Sequence, residues 1–512
     1  MKVVSNILMA GATVISSVAM AGTEPFFNPL TQSSAVASPN HVNELNSPWQ
    51  TPAGISQVNL TSMKEIEADM YQSVVRAPGA GTAASMWDMV AFDDEGKYIF
   101  IPHETPFGAG VTRYNIEQDF SEVLFSGNTR GERGVDGTWD NDFGAFDPAT
   151  ITPYGTLLLG EEWSGEGRVL EVLNPFAPSN LIKVKEKQSF ANVSHEGIRF
   201  GKVYDNTVYY VDEDRSGSIY KFVAKDKKFN KGQTFVLSVT AFDGDATKNY
   251  NDESNLNATR TGEARWIPLT NKKGKPKTAQ NPFENAASYR AGRIAADELS
   301  ATPFGRPEDI EVGILANGNE VLYFTATSES SVYSVEMLNK KNAVVRLFAS
   351  ESDTPKNVGF PATTGVINSP DNLAQDAFGN IYIIEDAPNS GDVGGDIWFI
   401  RDADNNGVAE SVDHFMSVQV NGAEATGMIF NPAEPTQFVL SIQHPSSTDL
   451  EAVEGGQGDA LWMFDITNIV PPTCEGGERY NKHSFANGSY VSTCSYVNDF
   501  DYVKQLNRQV KK

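Results

Sequence analysis

Cysteine is nearly absent from this chain: Cys474 and Cys494 are the whole complement. A CxxC metal site is therefore excluded, and the body of the chain has no candidate cysteine nucleophile. Histidine is scarce as well, with 6 residues. Positive charge is in deficit, 40 Lys and Arg against 66 Asp and Glu, for a net −26. That balance argues against nucleic acid or an anionic membrane as a partner, since both need clustered cations. Beyond the first 21 residues no run is apolar enough to span a membrane. No GxSxG elbow, P-loop or HExxH is present. Gly79-Ala80-Gly81 is a helix stop rather than a phosphate loop, and the lysines between 272 and 277 read as a solvated loop.

The N-terminus reads as a secretory signal. Lys2 gives a basic start, Val3 to Val18 is mostly apolar, and Ala19-Met20-Ala21 supplies a small-x-small cleavage site before Gly22. No twin arginine precedes the apolar run, so export in the unfolded state is expected, to the periplasm or beyond the cell. In that setting Cys474 and Cys494 are expected to form a disulfide closing a short loop.

Residues 22–83 read as an irregular arm with one short helix. Ser62-Met63-Lys64-Glu65 matches a capping box, and Met63, Ile66, Met70 and Val74 keep helical spacing. From about residue 84 to 470 short strands alternate with Gly, Asp, Asn and Pro clusters. Six segments share a plan: an acidic or polar residue, an apolar strand, a turn, a second apolar strand, and another polar group. They open near 88, 142, 196, 308, 371 and 426, at intervals of 54, 54, 112, 63 and 55. Their far ends are His103-Glu104, Glu161-Glu162, Asp212-Glu213-Asp214, Thr325, Glu385-Asp386 and Gln443-His444. The long interval fits one repeat plus an insertion around 224–300. A repeat near 50 residues with room for four strands predicts an all-β, six-bladed β-propeller, extended at 471–512. Unrelated hairpins in a β-sandwich would not share this spacing.

In a propeller the innermost strands line one channel, so acidic residues at equivalent repeat positions converge. Unpaired anions that close repel, and bound cations relieve the repulsion. Oxygen-rich, sulfur-free donor sets favour calcium or magnesium. The candidates are Glu161, Glu162, Glu196, Glu308, Asp371 and Asn372, with Asp88 and Asp142 outside them. Adjacent Glu161 and Glu162 point to opposite strand faces, so either both serve after a bend at Gly160 or one sits in a salt bridge. Arg306, two residues from Glu308, suits a bidentate grip on phosphate or carboxylate, or else a plain ion pair. His195 ranks below Glu196. Asp402-Ala403-Asp404-Asn405-Asn406-Gly407, with Glu410, resembles half of a calcium loop but lacks the glutamate at its twelfth position.

At these motifs the chain resembles the PhoX-type alkaline phosphatases, secreted metal-dependent enzymes. The matching runs are Thr152-Pro153-Tyr154-Gly155-Thr156 leading to Glu161-Glu162, His195-Glu196-Gly197, Tyr220-Lys221-Phe222-Val223, Ala295-Ala296-Asp297, Arg306-Pro307-Glu308, Ser369-Pro370-Asp371-Asn372-Leu373, Thr426-Gly427-Met428 and Gln443-His444-Pro445. The resemblance implies a six-bladed propeller with an axial cluster of calcium ions and a pair of irons, hydrolysing phosphate esters. It implies Glu161, Glu162, Glu196, Glu308 and Asp371 as ligands and Arg306 as the group that binds phosphate, with His195 nearby. The family's bridging cysteine falls at Gly160, which has no thiolate. A calcium-dominated or altered site is therefore expected, with activity that is reduced, shifted or absent. The expected function is an exported phosphoric-ester hydrolase acting as a monomer on small phosphorylated substrates. The alternatives are a calcium-dependent esterase, lactonase or phosphotriesterase, and a non-catalytic calcium-binding propeller.

Overall fold

The computed structural model describes residues 25–34, 41–70, 85–106, 108–127, 143–163, 167–204, 206–284, 291–377, 379–386 and 395–469, with short strands at Phe485–Ala486 and Ser489–Tyr490. The leader at 1–21, Asp142 and both cysteines lie outside the described residues.

The body is a succession of antiparallel four-stranded meanders. Five of them span 91–126, 146–186, 198–239, 307–350 and 370–418. The sixth takes three strands from 424–465 and its fourth, outermost strand, Ser56–Ser62, from the N-terminal arm. The arm is thus less irregular than its composition suggests. Trp49–Gln50 also pairs with the outer strand of the fifth meander. The helix Met63–Met70 follows at once, and Ser62 and Glu65 form the capping box: Ser62 Oγ donates to the Glu65 carboxylate at 3.1 Å and accepts its backbone N–H at 3.3 Å.

Strand runs that are apolar without alternation are buried on both faces here. Leu157 and Leu159 pack against Phe100 and Val111 of the first meander, while Leu158 packs against Ile198 and Tyr210 of the third. A separate apolar core lies between each pair of successive sheets. The one that joins the first and sixth, built on Trp87, Ile99, Val439 and Leu461, closes the circle. First strands touch first strands in order around the ring, and the last meets the first where Thr426 Oγ1 donates to the Trp87 carbonyl at 3.0 Å. The arrangement is propeller-like.

The insertion begins later than its composition implies. Gly232–Val239 is the fourth strand of the third meander, and three of its eight residues are only partly buried. Residues 240–304 are the insertion proper. Their strand Gly262–Pro268 pairs with Gly232–Val239 on one side and Asn342–Ser350 on the other, fusing the third and fourth meanders into one nine-stranded sheet. Their helix, Ala291–Asp297, returns to the ring beside Asp212.

Candidate metal centre

The same local device recurs at the start of five of the six first strands; the third meander's, Ile198–Phe200, pairs without a slip. Register slips by one residue between Phe146 and Ala149, Pro307 and Ile310, Pro370 and Leu373, and Thr426 and Ile429. In the first meander Trp87 bridges His103 while Ala91 pairs with Phe100, four residues against three. Each slip is a β-bulge, which breaks the alternation and re-aims the extra side chain. The bulged residues include Asp88, Asp147, Glu308 and Asp371. Just ahead of them Met86, Ala145, Arg306 and Ser369 hold left-handed backbone, with φ between 44° and 55°, a conformation that bulky residues adopt only when the surrounding structure imposes it.

The second strands supply the other half. At their ends two polar residues follow one another, and the first is consumed by its own sheet. Glu161 is gripped by Arg168, which donates through Nε and Nη2 at 2.7 Å each, and it accepts the backbone N–H of Gly144 at 3.2 Å. Glu385 accepts from Trp398 Nε1 at 2.8 Å. His103 Nε2 lies 3.0 Å from Thr112 Oγ1. The next residue in each pair, Glu162, Asp386 or Glu104, joins the cluster.

Carboxylate oxygens therefore converge in three groups, each within 4.8 Å: Asp88, Glu104 and Asp147; Glu196, Glu308 and Asp371; and Asp371, Asp386 and Glu424, the last two sharing Asp371. Burial, and after it the neighbouring carboxylates, pushes the carboxyls of Asp88, Glu104, Asp147, Glu162, Glu196, Glu308 and Glu424 well above the ordinary carboxylate range. Asp371 is pushed up to about 7 by burial and Asp386. Two ionised carboxylates 4 Å apart repel by about 4 kcal/mol at an effective dielectric of 20, so the group ionises together only with cations among it.

Arg306 stands at the edge of this cluster. Its Nη2 lies 2.8 Å from Glu308 Oε1, and its Nε bonds Glu213. Burial works against its charge, but Glu308 and Glu213 hold the guanidinium firmly protonated. In return it lowers the carboxyls of Glu162, Glu308, Asp371, Asp386 and Glu424.

Of the residues singled out from sequence, Glu162, Glu196, Glu308, Asp371, Asp88 and Arg306 are brought together. Glu161 is not: its oxygens are saturated by Arg168, as the salt-bridge alternative required. Asn372 supports rather than lines the cluster, its amide oxygen accepting Gly427 N–H at 2.6 Å and its Nδ2 donating to Asp371 at 2.9 Å. His195 is fully buried with its ring against Tyr210. Burial lowers its imidazole to about 3, and neither ring nitrogen has a hydrogen-bond partner among the described residues. Sequence reasoning did not assign Glu104, Asp147, Asp386, Glu424 or Glu213. Glu104, Glu213 and Asp386 stand at repeat ends, and that position was their signal. Asp402, Asp404 and Glu410 also approach one another, with Asp402 accepting the N–H groups of Asn406 and Gly407 at 3.0 and 2.9 Å.

The family model for alkaline phosphatase PhoX matches residues 138–446, more than half of the chain. The chain belongs to the PhoX family. Among solved structures it is similar to PhoX from Pseudomonas fluorescens, solved in complex with vanadate, a transition state analogue: TM-score 0.58, 15% identity, covering 86% of this chain and 98% of that one. A protein of unknown function from Bacteroides thetaiotaomicron follows at TM-score 0.39 and 10% identity, covering 80% of this chain and 76% of that one. That second likeness is too slight to bear on function. No curated protein matches the sequence.

The donor set was tested against the metals that PhoX membership implies. Asp147 Oδ1 and Glu196 Oε2 are buried oxygens with no hydrogen-bond partner, and all donors are oxygen, so hard cations such as calcium fit. A thiolate-bridged iron pair does not. Gly160 offers no sulfur, and a Cβ there would lie 2.7 Å from His195 Cβ and 2.8 Å from Pro148 Cγ. Gly160→Ala is accordingly expected to destabilise the fold by about 1–3 kcal/mol, the usual cost of overpacking, read from urea unfolding midpoints.

Proposed function

We propose that this PhoX-family chain is an exported six-bladed propeller that hydrolyses phosphoric monoesters at its axial carboxylate cluster, using calcium. The observation that carries the reading is the meeting of buried carboxylates with one partly exposed guanidinium, Arg306, in a chain of this family. Calcium held by Glu162, Glu196, Glu308, Asp371, Asp386 and Glu424 would supply Lewis-acid polarisation and charge neutralisation for the phosphoryl group. Arg306 binds a phosphate oxygen and stabilises the charge that grows in the transition state. Thr327 donates to Glu308, and Asn372 donates to Asp371, so these two ligands are held from behind. Residues 1–21 direct export, and Cys474 and Cys494 pair outside the cytoplasm.

The test is turnover of p-nitrophenyl phosphate by the purified chain. Activity should appear with calcium, vanish on chelation and return when calcium is restored. Absence of turnover under every metal regime overturns the enzymatic reading and leaves a calcium-binding propeller.

A further inference from the structure

The insertion, residues 240–304, is tied to the edge of the cluster through one buried arginine, Arg293. The second strand of the third meander, Thr207–Val211, runs out into Asp212-Glu213-Asp214. Successive side chains of an extended segment point to opposite sides. Asp212 and Asp214 both meet Arg293 of the insertion's helix Ala291–Asp297. Arg293 Nε donates to Asp212 Oδ2 at 2.6 Å, Nη2 bonds the other oxygen of that carboxylate, and Nη1 lies 2.8 Å from Asp214 Oδ2. Glu213, between them, turns the other way and takes Nε of Arg306.

The backbone reinforces this arrangement. Arg306 N–H donates to the Asp214 carbonyl at 3.0 Å, and Glu213 N–H donates to the Ser194 carbonyl at 2.9 Å. Tyr250, also from the insertion, packs against Gly305 and donates its hydroxyl to the Ser328 carbonyl at 2.7 Å. The fork around Arg293 is buried, with its side chain 3% exposed, whereas the Arg306 side chain is 34% exposed. A rigid, closed ion-pair network therefore ends in a carboxylate that fixes the root of an open guanidinium. Arginine is long and rotamer-rich, and its planar fork binds an oxyanion well only when its plane is set beforehand.

We infer that Glu213 is the positioning residue for Arg306, and that the insertion takes part in the site by locking Glu213 through Arg293. The inference rests on the reading of Arg306 as the phosphate-binding group. Without Glu213 the guanidinium has Glu308 as its remaining partner and is free to fold down onto it, away from a phosphate.

The experiment measures inhibition by inorganic phosphate, kcat and KM for p-nitrophenyl phosphate, calcium content and melting temperature. The variants are Glu213→Ala, Glu213→Gln, Arg306→Ala and the double variant Glu213→Ala/Arg306→Ala. Glu213→Ala should weaken phosphate inhibition and lower kcat/KM by ~10-fold, within the range of couplings between contacting residues, with calcium content unchanged. Glu213→Gln, which keeps an acceptor at Nε, should recover most of that loss. Once Arg306 is alanine, removing Glu213 should change nothing further. Equal effects of Glu213→Ala in both backgrounds would overturn the inference, as would loss of calcium on that change, which would make Glu213 a ligand. Should Glu213→Ala fail to fold, Glu213→Leu, which fills similar space with no acceptor for Nε, replaces it in the same comparison with Arg306→Ala. If Arg306→Ala leaves phosphate inhibition intact, the phosphate reading itself falls. If Arg306→Ala abolishes inhibition and neither Glu213 variant alters it, only the positioning role falls.

Discussion

Arg306→Ala is expected to lower kcat for p-nitrophenyl phosphate by about 10²–10³-fold, the usual cost of removing one donor to transition-state charge, and to leave the calcium content unchanged. The physical basis is separation of roles. On the proposed reading the carboxylates hold the cations, while Arg306, a cation itself, cannot be a metal ligand; it is paired with Glu308 and Glu213 and keeps 34% of its side chain exposed, open to a bound anion. Its removal should affect stability much less than turnover. Glu308 keeps the hydrogen bond from Thr327 and, in the loaded protein, its cation. A melting temperature within a few degrees of the parent is expected, since one kcal/mol moves a chain of this size by only about 2–4 °C or less. Unchanged activity would remove Arg306 from the mechanism.

Removing calcium is expected to invert how stability depends on pH. In the metal-free protein the cluster carboxyls titrate higher folded than unfolded, with Asp371 moved from the ordinary 3.8 to about 7. Between those values the folded state holds more protons than the unfolded one, so stability falls as pH rises. The decline should run from about pH 4 to 7 and persist above it, because neighbours such as Glu196 and Glu308 are also raised. With calcium present the ionised form is the one bound, so stability should instead rise across the same window. At free calcium about 1,000 times its dissociation constant, binding adds about 4 kcal/mol. Thermal melts at pH 5 and pH 8, with calcium and with chelator, check both signs. A chelated protein more stable at pH 8 than at pH 5 would show that the cluster is not the dominant titrating unit.

The ring and its acidic lining are legible in the sequence because both depend on repetition: an apolar pair of strands, a turn, and acid at the ends. What composition does not reveal is a phase of one residue. Glu161 and Glu162 are chemically alike, and only the place of Arg168 in the neighbouring strand decides which is used up. Glu385-Asp386 and His103-Glu104 follow the same rule, with the strand-final residue bonded inside its sheet and its successor in the cluster. The bulges are equally silent, being an extra residue opposite a partner far along the chain. In the second repeat the bulge brings Asp147 into the cluster, an acid that regular spacing does not single out. Gly160 was read as a missing thiolate. The packing adds that His195 and Pro148 occupy the space a side chain would need.

The strand Ser56–Ser62 completes a sheet whose other members end at Asp465. The rest of the ring lies between that strand and its three sheet partners in the sequence, so the ring cannot shut until the sixth meander is available. Pairings of such long sequence separation are slow to form. A chain threaded through a membrane pore from its N-terminus would deliver the clasp before the five other meanders and its partner strand after them, leaving the ring open until then. The carboxylate cluster, assembled from all six meanders, would come together only on the far side, where it would draw its cations from that compartment and not from the cytoplasm.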